Sequence, residues 1–231
     1  MSKPDGKPSI TVTKNGPYLV TGGVPIAKQT IVTDREGGSQ EWREGEPLPH
    51  KESYALCRCG HSNTKPFCDG THQKVHFDGT ETASRDKYRE QAQAFEGPTL
   101  MLSDVESLCA GARFCDPNGG VWSQAERSDD PQVRRNFLRQ VNNCPSGRLV
   151  AWERVSGKAV EHARPASIGL VEDPAEGVSG PYWVRGGIPL VAEDGFAYEV
   201  RNRMTLCRCG ASSNKPFCDG SHVTVKFRDS G

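Results

Sequence analysis

A sixteen-residue stretch occurs twice in this chain, and that repeat limits the fold more than any other feature. Cys57-Arg-Cys59-Gly-His-Ser62-Asn-Thr-Lys65-Pro66-Phe67-Cys68-Asp69-Gly70-Thr71-His72 returns as Cys207-Arg-Cys209-Gly-Ala-Ser212-Ser-Asn-Lys215-Pro216-Phe217-Cys218-Asp219-Gly220-Ser221-His222. Upstream, Gly16-Pro-Tyr18-Leu-Val20-Thr-Gly22-Gly23-Val24-Pro25-Ile26 is echoed by Gly180-Pro-Tyr182-Trp-Val184-Arg-Gly186-Gly187-Ile188-Pro189-Leu190. A whole unit is therefore duplicated. The interval from Gly16 to Cys57 exceeds that from Gly180 to Cys207, so copy one carries an insertion, and polar Asp34 to Pro49 reads as the loop that holds it.

Each copy reads as short strands. Tyr18-Leu-Val20 and Tyr182-Trp-Val184 come first, and Gly-Gly and Pro punctuation follows. A further strand leads into the first cysteine, and a closing strand is expected at Val75 to Phe77 and at Val223 to Phe227. Glycine and proline, 25 and 16 of the 231 residues, favour loops and short strands over helix. A unit of about 50 to 70 residues buries too little apolar surface for secure stability alone. The two copies are therefore expected to pack as a pseudo-two-fold pair, one chain imitating a homodimer.

Nine cysteines without an export signal read as metal ligands or free thiols before disulfides. Cys57 and Cys59 converge on one metal if the chain curls at the following Gly60, as Gly210 allows in copy two. Cys68 and His72 are four apart, and Asp69-Gly70 turns the chain into a short helix that presents both on one face. Three thiolates and one imidazole divide as two per iron of a rhombic [2Fe–2S] cluster. Arg58, Lys65, Arg208 and Lys215 lie close in sequence to offset its negative charge. The same donors also suit a Cys3His zinc site, although zinc fingers usually space a cysteine pair by two to four residues. Disulfides would leave one of the three thiols over. His61, replaced by Ala211 in copy two, reads as a surface histidine or one beside the ligands; His50, His76 and His162 lie off the motif.

Both copies resemble the CDGSH iron–sulfur family, the NEET-like proteins, whose pattern is Cys-x-Cys-x2-Ser/Thr-x3-Pro-x-Cys-Asp-Gly-Ser/Ala/Thr-His. Copy two spells Cys218-Asp219-Gly220-Ser221-His222; copy one has Thr71 at the variable position. The resemblance implies cluster ligands Cys57, Cys59, Cys68 and His72, and equally Cys207, Cys209, Cys218 and His222. It also implies a β-rich, dimer-like body.

Between the copies the composition changes. Arg85 to Phe95 reads as polar helix and Thr99 to Leu102 as strand. Ser103-Asp-Val-Glu106 is a capping-box pattern for a short helix. Asp130-Pro131 opens another, with Val133, Phe137, Leu138 and Val141 on one face. It runs into Cys144-Pro145, and Arg148 to Trp152 closes a βααβ order. Cys109, Ala112 and Cys115, then Cys144-Pro145, resemble a divergent single-cluster bacterial ferredoxin whose second cysteine is Ala112. Cys109, Cys115 and Cys144 would then suit a [3Fe–4S] cluster, or a [4Fe–4S] cluster whose fourth iron takes water or another ligand. The alternative is a ferredoxin-shaped domain with three ordinary buried cysteines.

These readings give an α+β chain of three parts: a first CDGSH module over 1–80, a ferredoxin-like βααβ domain over 81–164, and a second CDGSH module over 165–231. Acids and bases balance at 29 each without long runs of one sign, which points away from nucleic acid. No stretch approaches the roughly 20 apolar residues of a membrane span, and the start lacks a signal-peptide core, so a cytoplasmic protein is expected. No Ser-His-Asp, phosphate-loop or paired-carboxylate signature is present, so an enzyme is not expected; several clusters in one compact chain, with a relay between them, read as an electron carrier. Storage or transfer of clusters is the alternative, and a zinc-stapled interaction module is the third reading. A redox protein or an apo-iron–sulfur protein is the expected partner, and the chain is expected to be a monomer.

Overall fold

The computed structural model describes residues 6–229. Copy one supplies β1 (Ser9–Val12), β2 (Tyr18–Thr21), β3 (Ile26–Thr33), β4 (Ser39–Pro47), β5 (Tyr54–Leu56) and α1 (Thr71–Lys74). The middle segment supplies α2 (Tyr88–Gln91), β6 (Gln93–Glu96), β7 (Leu100–Asp104), α3 (Val121–Ala125), α4 (Pro131–Asn143) and β8 (Leu149–Glu153). Copy two supplies β9 (Ser167–Asp173), β10 (Val178–Arg185), β11 (Leu190–Val191), β12 (Arg203–Leu206) and α5 (Ser221–Thr224). The chain is thus mixed α and β, rich in sheet and poor in helix.

The duplicated strands trade partners. β1 and β2 form an antiparallel pair with Ile10 opposite Val20, and β9 and β10 form its counterpart with Ile168 opposite Val184. After each Gly-Gly turn the next strand crosses to the other copy. β3 runs parallel to β9 with Ile26 opposite Ile168, and β11 runs parallel to β1 with Leu190 opposite Ile10. Main-chain bonds seal both crossings, Ile10 to Pro189 at 2.9 Å and Ile168 to Pro25 at 2.8 Å. Gly186, at φ 79°, needs its missing side chain here: a Cβ would sit 2.5 Å from the Ala166 nitrogen. The resulting sheets, β11-β1-β2-β5 and β12-β10-β9-β3-β4, each mix strands of both copies. They enclose one apolar core in which Ile10, Tyr18, Val20 and Ile26 meet Ile168, Tyr182, Val184 and Leu190.

The insertion in copy one is a strand, not a loop. Ser39–Pro47 pairs with β3, Ile31 opposite Trp42. Its exposed charges, Glu41, Arg43, Glu44 and Glu46, made it read as a polar loop. Trp42 lies 4.8 Å from the Phe114 ring and 4.7 Å from that of Trp183, and donates to the Asn143 carbonyl at 3.0 Å. The extra strand thereby clamps the middle segment to the duplicated body.

Three further expectations need correction. Val75 to Phe77 and Val223 to Phe227 are not strands, because the chain curls after each short helix and the Phe77 and Phe227 amides bond back to the His72 and His222 carbonyls, both at 3.0 Å. Arg85 to Phe95 is not one helix: α2 stops at Gln91, Ala92 is extended, and β6 pairs with β7 through Phe95 and Leu102. Ser103 and Asp104 cap nothing, since both lie in β7; the Ser103 hydroxyl meets the Tyr88 hydroxyl and the Trp152 indole, and Asp104 binds Arg148. A single 3-10 turn, Glu106–Leu108, follows instead.

α4 begins where Asp130-Pro131 predicts. The Asp130 carboxylate accepts from the Gln132 and Val133 amides at 2.7 and 3.0 Å, satisfying donors that the first helical turn leaves free. Phe137 and Val141 pack on Leu100, Leu102 and Ala151 in a separate core over the sheet β6-β7-β8. Among the described residues, no helix is long and apolar enough to cross a membrane.

Candidate metal centres

Two main-chain bonds fold each motif onto itself. Cys57 N donates to Pro66 O at 2.8 Å and Cys68 N to Ala55 O at 2.9 Å; Cys207 with Pro216 and Cys218 with Thr205 repeat this at 2.9 and 3.0 Å. Cys68 is thus laid beside the strand that ends at Cys57. The chain then curls at Gly60 (φ 79°) or Gly210 (φ 82°), bringing Cys59 Sγ to 3.7 Å from Cys57 Sγ and Cys209 Sγ to 3.8 Å from Cys207 Sγ. Gly70 and Gly220, both at φ 87°, turn the chain into α1 and α5. His72 Nδ1 then faces Cys68 Sγ at 3.3 Å, and His222 Nδ1 faces Cys218 Sγ at 3.5 Å.

Main-chain N–H groups point at the sulfurs: His61 at Cys59, Gly70 at Cys68, Ala211 at Cys209 and Gly220 at Cys218, all within 3.4–3.5 Å. Such donors favour thiolate over thiol. Within each Cys-x-Cys pair one proton is shared. The hydrogen bond from its neighbour pulls Cys57 down to about 6 and Cys207 to about 7, while Cys59 and Cys209 are raised in turn. Burial pushes Cys68 and Cys218 up. Burial also lowers His222 to about 4, so its ring is neutral at pH 7, the form that can bind a metal.

The four cations expected near the motifs divide by role. Lys65 and Lys215 reach back to the Ser62 and Ser212 carbonyls at 2.6 and 2.7 Å, within their own loops. Arg58 and Arg208 are buried and bond to other parts of the chain, Arg58 to the Thr13 and Gly79 carbonyls and Arg208 to Glu172 and Asp229. They brace the motif from behind.

Sequence reasoning missed how each copy holds the other's site. The buried Tyr182 hydroxyl of copy two donates to the Cys57 and Pro66 carbonyls of copy one at 2.7 and 3.2 Å. Tyr18 of copy one reaches the Cys207 and Pro216 carbonyls of copy two, both at 3.0 Å. A Cβ on Gly210 would lie 2.5 Å from the Cys59 carbonyl, and one on Gly60 would collide with that of Cys209. The two Cys-x-Cys-Gly turns therefore touch. The repeated Gly-Pro-Tyr was the available signal.

Cys109, Cys115 and Cys144 line one partly open cavity, with Ala112 and Arg148 in its wall. Asp104 grips Arg148 through two hydrogen bonds and, with Cys109 alongside, keeps it charged. Burial raises Cys115, and the Asp116 carboxylate adds to this. Ala112 packs with Ile31, Phe114, Val171 and Trp183. This cavity adjoins the second motif: Asn214 donates to Ser107 O at 2.8 Å, and a Cβ on Gly220 would meet the Cys109 carbonyl at 3.4 Å. His50, His61, His76 and His162 are exposed and belong to none of these groups.

The donor chemistry fits iron and sulfide: cysteine sulfurs with imidazole nitrogen, grouped in twos and met by N–H donors. The model of the family described as iron-binding zinc finger CDGSH type matches residues 15–73 and 179–223. That described as divergent 4Fe-4S mono-cluster matches residues 95–154. Nothing among curated proteins or solved structures matches the chain significantly. The chain is an iron–sulfur protein, with CDGSH-type segments on both sides of a divergent 4Fe–4S mono-cluster segment.

Proposed function

We propose that each CDGSH-type site holds a [2Fe–2S] cluster, through Cys57, Cys59, Cys68 and His72 in copy one and through Cys207, Cys209, Cys218 and His222 in copy two. Cys109, Cys115 and Cys144 hold a third cluster, of the [3Fe–4S] or [4Fe–4S] type. The grouping of donors in twos carries this reading: Cys57 with Cys59, and Cys68 with His72, match one pair per iron. The copies form a pseudo-two-fold pair, supported by the traded strands and the reciprocal tyrosine bonds. The chain divides at 1–80, 81–164 and 165–231, a division supported by the separate middle core. That middle part is ferredoxin-like, with α3 and α4 between the paired strands β7 and β8.

When bound, the clusters supply one-electron redox capacity, and the protein serves as an electron carrier, not an enzyme. Its own residues fix the conditions. The N–H donors stabilise charge on sulfur, Tyr18 and Tyr182 hold the ligand strands, and Arg58 and Arg208 brace them. The carrier is a cytoplasmic monomer whose partner is another redox protein. A second reading, cluster donation, is favoured by the half-buried Cys68 and His72, which an apo-protein can approach. Mixing the loaded chain with an apo-ferredoxin separates the two. Reversible reduction with iron and sulfide retained supports carriage; transfer of both to the acceptor refutes it in favour of donation.

A further inference from the structure

The two copies differ most beneath their ligands, around the arginine between the first two cysteines. Arg58 and Arg208 are 1% and 2% exposed. Arg58 donates to main-chain carbonyls, of Thr13 at 3.1 Å and of Gly79. Arg208 donates to the Glu172 carboxylate at 3.0 Å and to that of Asp229, besides the Val171 carbonyl. The strand registers make Ile10 and Ile168 equivalent, which places Lys14 where copy two has Glu172. Counting from the motif histidines, Gly79 stands where copy two has Asp229. One buried cation thus has no carboxylate and the other has two. Asp78 and Arg228 also exchange sign between the copies, but both are exposed and screened by solvent. Asp173, near His222, is matched by the Arg113 guanidinium at 2.6 and 3.0 Å.

Coverage differs as well. Cys218 and His222 are 3% and 4% exposed beneath the middle segment, whereas Cys68 and His72 are half-buried. Only Cys209 is more open than its counterpart, Cys59. Adding an electron adds negative charge, which nearby carboxylates and loss of solvent both oppose.

We propose that the second CDGSH site is the lower in potential of the two, so that an electron delivered by a one-electron carrier protein comes to rest on the first. In that step the second site is oxidised by one electron and the first is reduced by one, with no bond made or broken. The touching turns at Gly60 and Gly210 supply the short path. The ranking rests on the [2Fe–2S] reading of both sites.

The test is an EPR-monitored redox titration of the full chain, purified without oxygen. Two components with separate midpoints are expected. His72→Cys removes the parent's higher-midpoint signal and leaves the lower one in place, which assigns the higher to the first site. Glu172→Gln raises the lower midpoint alone. A shared midpoint in sulfide-containing protein overturns the ranking, as does loss of the parent's lower-midpoint signal in His72→Cys, or a Glu172→Gln protein with both midpoints unmoved. Protein without acid-labile sulfide overturns the cluster reading itself.

Discussion

Tyr182→Phe removes one oxygen from copy two and is expected to damage the site in copy one. The hydroxyl is fully buried and donates to the carbonyls of Cys57 and Pro66. Pro66 O keeps a second partner in the Cys57 amide. The Cys57 carbonyl is left facing apolar core, where an unsatisfied acceptor costs about 1–3 kcal/mol. A chain of 231 residues shifts its melting temperature by about 2–4 °C per kcal/mol, so the loss amounts to roughly 2–12 °C. The assay is anaerobic heating followed by visible absorption and by EPR of the reduced protein after partial loss. The first-site signal should fade before the second in Tyr182→Phe, and the order should reverse in Tyr18→Phe. Preferential loss at the second site in Tyr182→Phe, or a melting temperature equal to that of the parent, would refute the cross-copy bracing.

Other perturbations probe the remaining steps. His72→Cys and His222→Cys replace neutral imidazole by thiolate, so the potential at the altered site falls, and the acid lability expected of a histidine ligand disappears; potentiometry and cluster loss in mild acid check both, and an unchanged double variant would sink the ligand assignment. Gly210→Ala forces a side chain to φ 82° and into the Cys59 carbonyl, a combination worth about 2–5 kcal/mol by urea unfolding, whereas stability within error of the parent would mean that the turns do not touch. Cys144→Ser should remove the iron above that of the two CDGSH sites while leaving their spectra intact; iron content equal to the parent's would exclude the middle cysteines as ligands.

The nearness of Cys57 to Cys59 and of Cys68 to His72 was legible because local spacing fixes it. Cys68 and His72 need one tight turn, and Asp69-Gly70 names it. The α4 start was legible for the same reason, since a carboxylate followed by proline satisfies a helix start within three residues. What escaped was non-local. The Trp42 strand carries exposed charges, and what marks it as sheet is its pairing with β3 and its packing on Phe114 and Trp183, contacts distant in sequence. Ser103 and Asp104 looked like a cap until Tyr88, Trp152 and Arg148, distant in sequence, claimed their oxygens. The different duties of Arg58 and Arg208 were invisible because the motif itself is identical at that position. The difference lies in Lys14 and Gly79 against Glu172 and Asp229, all outside the repeat as spelled.

The claim on which the account stands is that sulfide-bridged iron occupies both CDGSH-type sites. Iron and acid-labile sulfide should therefore be counted in chain purified without oxygen from iron-replete cells, alongside a Cys109→Ser, Cys115→Ser, Cys144→Ser variant that isolates the two outer sites. The account predicts two irons and two sulfides per outer site in that variant, in equal amounts. A colourless protein carrying zinc and no sulfide would contradict it.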